Sequence, residues 1–227
     1  WQLRNRHRRG KGERGIAPPL YTVAQALAAL KALQPVAYRE TISPADAVKV
    51  RFHDAGHILG SSWLEVTVND DGRPRKLVFS GDLGMPERAV LHDPEKVVPE
   101  ADLLLIESTY GDRLHRSLTE TEDEIVAAFE RTRATLITPA FAVGRTQEII
   151  YMLADLARRQ RISPIKVYVD SPMANAATQI TLAHPELLDP ETRDLIAWQQ
   201  MHPEKMKLEF VADVERYPEF VPFCERL

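Results

Sequence analysis

AVKVRFHDAGHILGSSWLEVTV, residues 47–68, is the stretch on which the fold turns. Two apolar segments, AVKVRF and WLEVTV, alternate apolar with polar residues at the period of a strand with one buried face. Between them lies a break that carries His53, Asp54 and His57 among the glycines 56 and 60. A plain reversal of the chain needs no histidine, so the coordinating side chains here ask for a chemical reason. Downstream, KLVFS (76–80) and DLLLI (102–106) read as two further strands, and Asp71-Gly72 has the residues of a tight hairpin turn between WLEVTV and KLVFS. This part of the chain is therefore a sheet built from local pairings.

Each of three strands leads into a group able to bind a metal or move a proton. AVKVRF leads to His57, KLVFS leads through Gly81 to Asp82, and DLLLI ends on Glu107. With a hairpin at Asp71-Gly72, the strands before His57 and Asp82 run the same way, and both side chains reach one edge. The segment 83–100 is long enough to carry the chain back so that Glu107 arrives there too. Singly, each has a structural reading: a turn histidine, an aspartate bracing SGDLG, an acid capping the loop STYGD. Their convergence, with Gly56, Gly60, Gly81, Gly84 and Gly111 around them, favours a site. His53 is expected as the last outward residue of its strand, and His92, His115, His184 and His202 have no evident partner.

Outside this sheet the texture differs. Thr22 begins TVAQALAALKAL with Gln25 three positions on, the spacing of a capping box, and apolar residues recur at helical intervals. After residue 118 the pattern alternates: a helix from Thr119 capped by Glu122, a strand ATLIT, a helix GRTQEIIYMLADLARR, a strand IKVYV, and a helix opening at Ser171-Pro172. Such alternation implies an α/β arrangement with a parallel sheet and helical crossovers. In GRTQE, Gly144 and Arg145 open a helix, where free N-H groups favour phosphate and a guanidinium adds a fork; the structural alternative pairs Arg145 with Glu148. Ser171 before Pro172 is most simply an N-cap.

Composition sets the outer limits. The chain has 227 residues, 44% apolar, with a formal charge of −4 and one cysteine, Cys224. A single cysteine excludes an internal disulfide framework and a cysteine-rich zinc module, which makes a reducing cytoplasmic setting the expectation. No apolar run is long enough to span a bilayer, so no membrane partner is expected. The first fourteen residues carry six Lys or Arg against Glu13, and read as a solvated terminus, with phosphate contact as the alternative.

FHDAGHILGSS, FSGDLG, ESTYGDR, PAFAVGRTQE and VYVDSPMA, in that order, resemble the metallo-β-lactamase-fold nucleases of the β-CASP group, which process RNA. The resemblance runs from about residue 18 to the end. It implies part of a metallo-β-lactamase αββα sandwich over 1–115 and part of an inserted β-CASP domain over 116–227, its mainly parallel sheet flanked by helices. By it His57 corresponds to the third metal motif and Asp82 to the fourth, which bridges two zinc ions. Glu107 corresponds to the first acidic motif of the β-CASP part, and Ser171 falls at the cleft, where it joins Gly144 and Arg145 as an expected nucleic-acid contact. Two zinc ions suit hydrolysis of a phosphodiester, since they supply hydroxide and clamp the attacking and leaving oxygens. The group's upstream HxHxDH string and its two later histidine motifs are absent here, so the expectation is an internal fragment, or the product of a truncated gene, with an incomplete ligand set and inactive alone. Single-stranded RNA is the implied partner, and a homodimer is an allowed assembly. Two alternatives stay open: a ligand-depleted scaffold subunit of an RNA-processing complex, and another hydrolase on the metallo-β-lactamase fold.

Overall fold

The computed structural model describes residues 20–96, 100–114, 116–132 and 135–211. The basic run at 1–14, His115, Ala134 and Cys224 lie outside the described residues. The chain divides into two units, 1–37 and 38–227. In the first, helix α1 (Val23–Leu30) starts as its sequence predicts: Thr22 Oγ1 accepts from the Gln25 amide at 3.2 Å, and Gln25 Oε1 accepts from the Thr22 amide at 2.8 Å.

The second unit begins with β1 (Thr41–Ala45), β2 (Val48–Asp54), β3 (Ser62–Asp70), β4 (Arg73–Phe79) and β5 (Leu103–Leu105), hydrogen-bonded in that order in one sheet. The first four pair antiparallel, and β5 joins β4 in parallel. At the β3–β4 turn, Asp71 and Gly72 both have positive φ, 47° and 81°, as the expected two-residue turn requires. Strand β1, TISPA, contains Pro44 and a register shift between Ile42 and Ala45; both are tolerated at a sheet edge. On the sheet Ala55, Trp63 and Val78 form a small apolar cluster with Leu83 packed against it.

The rest of this unit is mainly helical. It contains α2 (Leu118–Arg131), α3 (Arg145–Arg158), β6 (Ile165–Val169), α4 (Pro172–Ala183), a 3₁₀ turn (Pro185–Leu187), α5 (Pro190–Met201) and β7 (Met206–Phe210). Strands β6 and β7 pair in parallel from Ile165↔Met206 to Val169↔Phe210. Their crossover is α4 and α5, in agreement with the α/β class expected. Two local expectations are corrected. The α2 capping box is Ser117 with Glu120, two residues upstream of Thr119 and Glu122, because Ser117 Oγ accepts from the Glu120 amide at 3.2 Å. Residues 135–138 of ATLIT are not in a strand, and Leu136 and Ile137 are exposed; β-prone residues without a neighbouring strand leave the backbone unpaired. The core of this half is Val126, Leu153, Ala154, Leu156, Ala157, Ile162, Leu195 and Met206.

Candidate active site at the strand ends

Because β3 is antiparallel to both β2 and β4, and β5 is parallel to β4, strands β2, β4 and β5 all finish at the same end of the sheet. His57, Asp82 and Glu107 follow those three ends. The three turns interlock through main-chain contacts. The Gly84 amide donates to the Ala55 carbonyl at 2.8 Å, and the Leu83 amide donates to Glu107 Oε1 at 2.6 Å. Ser80 Oγ accepts from the Glu107 amide at 2.9 Å, and the Ser80 amide donates to the Leu105 carbonyl at 2.9 Å. A Cβ on Gly84 would overlap the Gly56 carbonyl, so glycine is the residue that lets the loops touch.

The turn that carries His57 is itself braced. Asp54 Oδ1 accepts from the Gly56 amide at 2.8 Å, and Ser61 Oγ accepts from the amides of His57 and Ile58 at 3.0 and 3.2 Å. Tyr38 donates its hydroxyl to the Ser61 carbonyl at 2.9 Å; burial, with Asp54 nearby, pushes that phenol up to about 12. His57 and Asp82 are exposed, while Glu107 is half-buried. Hydrogen bonds from Thr109 and the Leu83 amide hold the Glu107 carboxyl below the usual range despite some burial, and positive charge on His57 acts the same way. Glu107 is thus an ionised acceptor at neutral pH.

His53 is not outward, as its place in the alternation predicts. It is 6% exposed and stacks on Trp63, its cross-strand partner, with ring centroids 3.8 Å apart. Its Nε2 lies 3.4 Å from Glu65 Oε2 and its Nδ1 3.2 Å from Glu95 Oε1. The segment that bears Glu95 covers this face: the Glu95 amide donates to the Asp54 carbonyl at 3.0 Å, and a Cβ on Gly56 would lie 2.7 Å from the Pro94 nitrogen.

A cavity of about 210 Å³ opens beside His57, with Gly56, Leu59, Arg88, Gly144 and Glu148 among its walls. Gly144, at φ 80°, lets the start of α3 approach the His57 turn, since a Cβ there would lie 2.8 Å from Ile58 Cγ2. The Gly144 amide is taken by Gln147 Oε1 at 2.8 Å. Arg145 Nη1 pairs with Glu148 Oε2 at 2.9 Å, and Arg88 Nη1 lies 3.5 Å from the other oxygen. Ser171 caps α4, accepting from the Ala174 amide at 3.2 Å, and lies outside the cavity lining. Sequence reasoning brought His57, Asp82 and Glu107 together but missed Ser61, Ser80, Tyr38 and Arg88. The serines sit within the quoted words, yet nothing local marks a hydroxyl as a brace.

As a metal centre the set is small. Among the described residues no three of His, Cys, Asp and Glu are placed to hold a metal ion, and zinc takes about four ligands. His57 and Asp82 suit two of those positions by chemistry, but they do not make a complete site.

Residues 146–219 match the Beta-Casp domain. With this match, the likeness of the chain to the β-CASP, metallo-β-lactamase-fold RNA nucleases is borne out by its relatives. It is 43% identical over 149 residues to Ribonuclease TTHA0252 of Thermus thermophilus, covering 64% of this chain and 33% of that protein. It is 33% identical over 180 residues to Transcription termination factor FttA of Methanosarcina mazei, covering 77% and 28%. With the RNase J-like protein of Methanocaldococcus jannaschii the identity is 27% over 173 residues, covering 74% and 40%. The chain thus spans between a quarter and two-fifths of the length of these relatives. The ribonucleases of this group are metal-dependent hydrolases. Among the described residues no helix is long and apolar enough to cross a membrane.

Proposed function

We propose that this chain supplies one wall of the active cleft of a zinc-dependent ribonuclease that hydrolyses phosphodiester bonds in single-stranded RNA. The reading divides the chain into a metallo-β-lactamase part, 1–115, and a β-CASP part, 116–227. The observation that carries it is the arrival of His57, Asp82 and Glu107 at one end of the sheet, with His57 in the wall of a cavity that also takes in the start of α3. In this reading His57 and Asp82 donate to metal, with further donors from outside the described residues. A metal so held would lower the pKa of bound water and neutralise phosphate charge. Glu107, ionised and fixed by Thr109 and Leu83, orients His57 or accepts a proton. Arg145 is the phosphate contact, with Gly144 giving it access and Ser171 fixing the neighbouring helix. The cytoplasm, where RNA is turned over, is the setting this activity fits; a homodimer is compatible with it.

With His57 and Asp82 as the donors at the strand ends among the described residues, a second reading stays open: a scaffold subunit of an RNA-processing complex that binds RNA and does not cut it. Two measurements separate these. Filter binding of single-stranded RNA over a salt series should show affinity falling with salt, and Arg145→Ala should flatten that slope by about 0.7, the value for one phosphate contact on a single strand. An unchanged slope would leave Arg145 as the ion-pair partner of Glu148. Calorimetric titration with zinc then decides catalysis: weak binding abolished by Asp82→Ala fits a donated pair of ligands, and no binding at all fits the scaffold.

A further inference from the structure

Arg88 belongs to the segment between β4 and β5, which reads from sequence only as a connection. In the structure it lines the cavity together with His57 and Glu148, while Arg145 lies outside the lining. Glu148 is one carboxylate shared by two guanidinium groups from distant parts of the chain, Arg145 at 2.9 Å on Oε2 and Arg88 at 3.5 Å on Oε1. The Arg88 and Glu148 side chains are only 28% and 20% exposed, so that pair is partly withdrawn from water, while Arg145 is 48% exposed and stands at its solvent edge. Two cations on one anion leave a positive charge over.

We propose that Arg88, on the cavity wall, is a second phosphate contact beside Arg145, and that Glu148 is an internal anion that keeps Arg88 and Arg145 aimed until an RNA phosphate takes its place. The inference rests on the RNA reading above. A carboxylate and a phosphodiester offer a guanidinium the same pair of anionic oxygens. At 3.5 Å the Arg88 pair is too long for a strong hydrogen bond, so the arginine gives up little when it turns to a phosphate. Glu148 sits in the first turn of α3, where the helix N-H groups favour an anion of either kind. The volume, about 210 Å³, is below that of most small-molecule sites, so a contact here is with a small group such as one phosphate.

The test is fluorescence anisotropy of the 227-residue chain with a short labelled single-stranded RNA, in chelator so that metal contributes nothing. Thermal melting of every variant is measured alongside. Arg88→Ala should weaken binding about tenfold, and Glu148→Gln, which frees both arginines, should tighten it by about threefold or more. Should Arg88→Ala fail to fold, Arg88→Lys keeps the charge without the fork and should weaken binding severalfold. If Arg88→Ala or Arg88→Lys folds and binds like wild type while Arg145→Ala loses affinity, Arg88 is a structural partner of Glu148: this inference falls and the RNA reading stands. If Glu148→Gln melts like wild type yet binds more weakly, the carboxylate is no place-holder and the inference is overturned. If the wild-type chain shows no salt-dependent affinity for RNA, the RNA reading fails and takes the inference with it.

Discussion

The sheet of residues 41–105 and the helical region of 118–210 are held together by different forces. The helical region closes over a continuous apolar core from α2, α3, α5 and β7, in which Leu156 and Met206 are almost completely buried. The sheet buries Ala55, Trp63 and Val78 and leaves β5 open, with Leu103, Leu104 and Leu105 exposed by 52, 51 and 44%. Its site end is held instead by main-chain hydrogen bonds, side-chain braces and close backbone approach. Precision at the strand ends is thus bought with polar geometry, and the helical region supplies bulk stability. The two regions should answer differently to the same kind of change.

The largest difference is expected from truncating leucine. Leu156→Ala removes a side chain with no exposed surface and should cost about 2–5 kcal/mol, read as a lower urea midpoint at unchanged slope. Leu104→Ala, half exposed on β5, should cost well under about 1 kcal/mol, in proportion to the smaller apolar area it covers. Equal losses at the two positions would break the contrast and mean that β5 is covered in solution.

A smaller effect, confined to the sheet, is expected at Gly84. An added methyl there meets the Gly56 carbonyl, a backbone atom that cannot swing aside. Gly84→Ala should cost about 1–3 kcal/mol as an overpacking change, and should displace the His57 turn. The decisive readout is local: the His57 ring resonances in an NMR spectrum should move while those of His202, beside Trp198 in the helical region, stay in place. Both sets unmoved would show that the loops do not touch as described.

What could be read from the sequence follows the same divide. Strands β2 to β4, the Asp71-Gly72 turn and the shared strand ends were legible because period-two alternation and a two-residue turn fix direction without distant information. Strand β1 was hidden by Pro44 and its irregular register. β7 carries no such local signal: MKLEF needs its parallel partner β6 to be a strand, and that pairing spans about forty residues. ATLIT failed for the converse reason, having propensity without a partner. His53 shows the limit most clearly. Val48, Val50 and Phe52 set one face of β2, which puts His53 with Lys49 and Arg51 on the other; only the fold reveals that Trp63 and the Glu95 segment cover that face at its end.

The covered histidine gives the smallest predicted effect and the sharpest chemical one. Burial alone would raise Glu65 and Glu95 above 4.5, yet both are lowered: Glu65 by Lys76, Arg51 and His53, and Glu95 by His53 and Arg39. A carboxyl whose folded value lies below its unfolded one contributes stability that is present above the unfolded value and lost as pH falls through the folded one. The sheet should therefore lose stability below about pH 4.5, where the two acids take up protons and release His53. Trp63 lies in contact with His53, so its fluorescence in a chain carrying both Trp1→Phe and Trp198→Phe reports this region, while helical circular dichroism follows the other. Between about pH 7 and about pH 4 the urea midpoint from fluorescence should fall further than that from circular dichroism. Glu95→Gln, which cannot change charge, should lower the midpoint at neutral pH and reduce its dependence on acid. Equal shifts in both signals, unaltered by Glu95→Gln, would mean that the His53 clamp contributes nothing specific to the sheet.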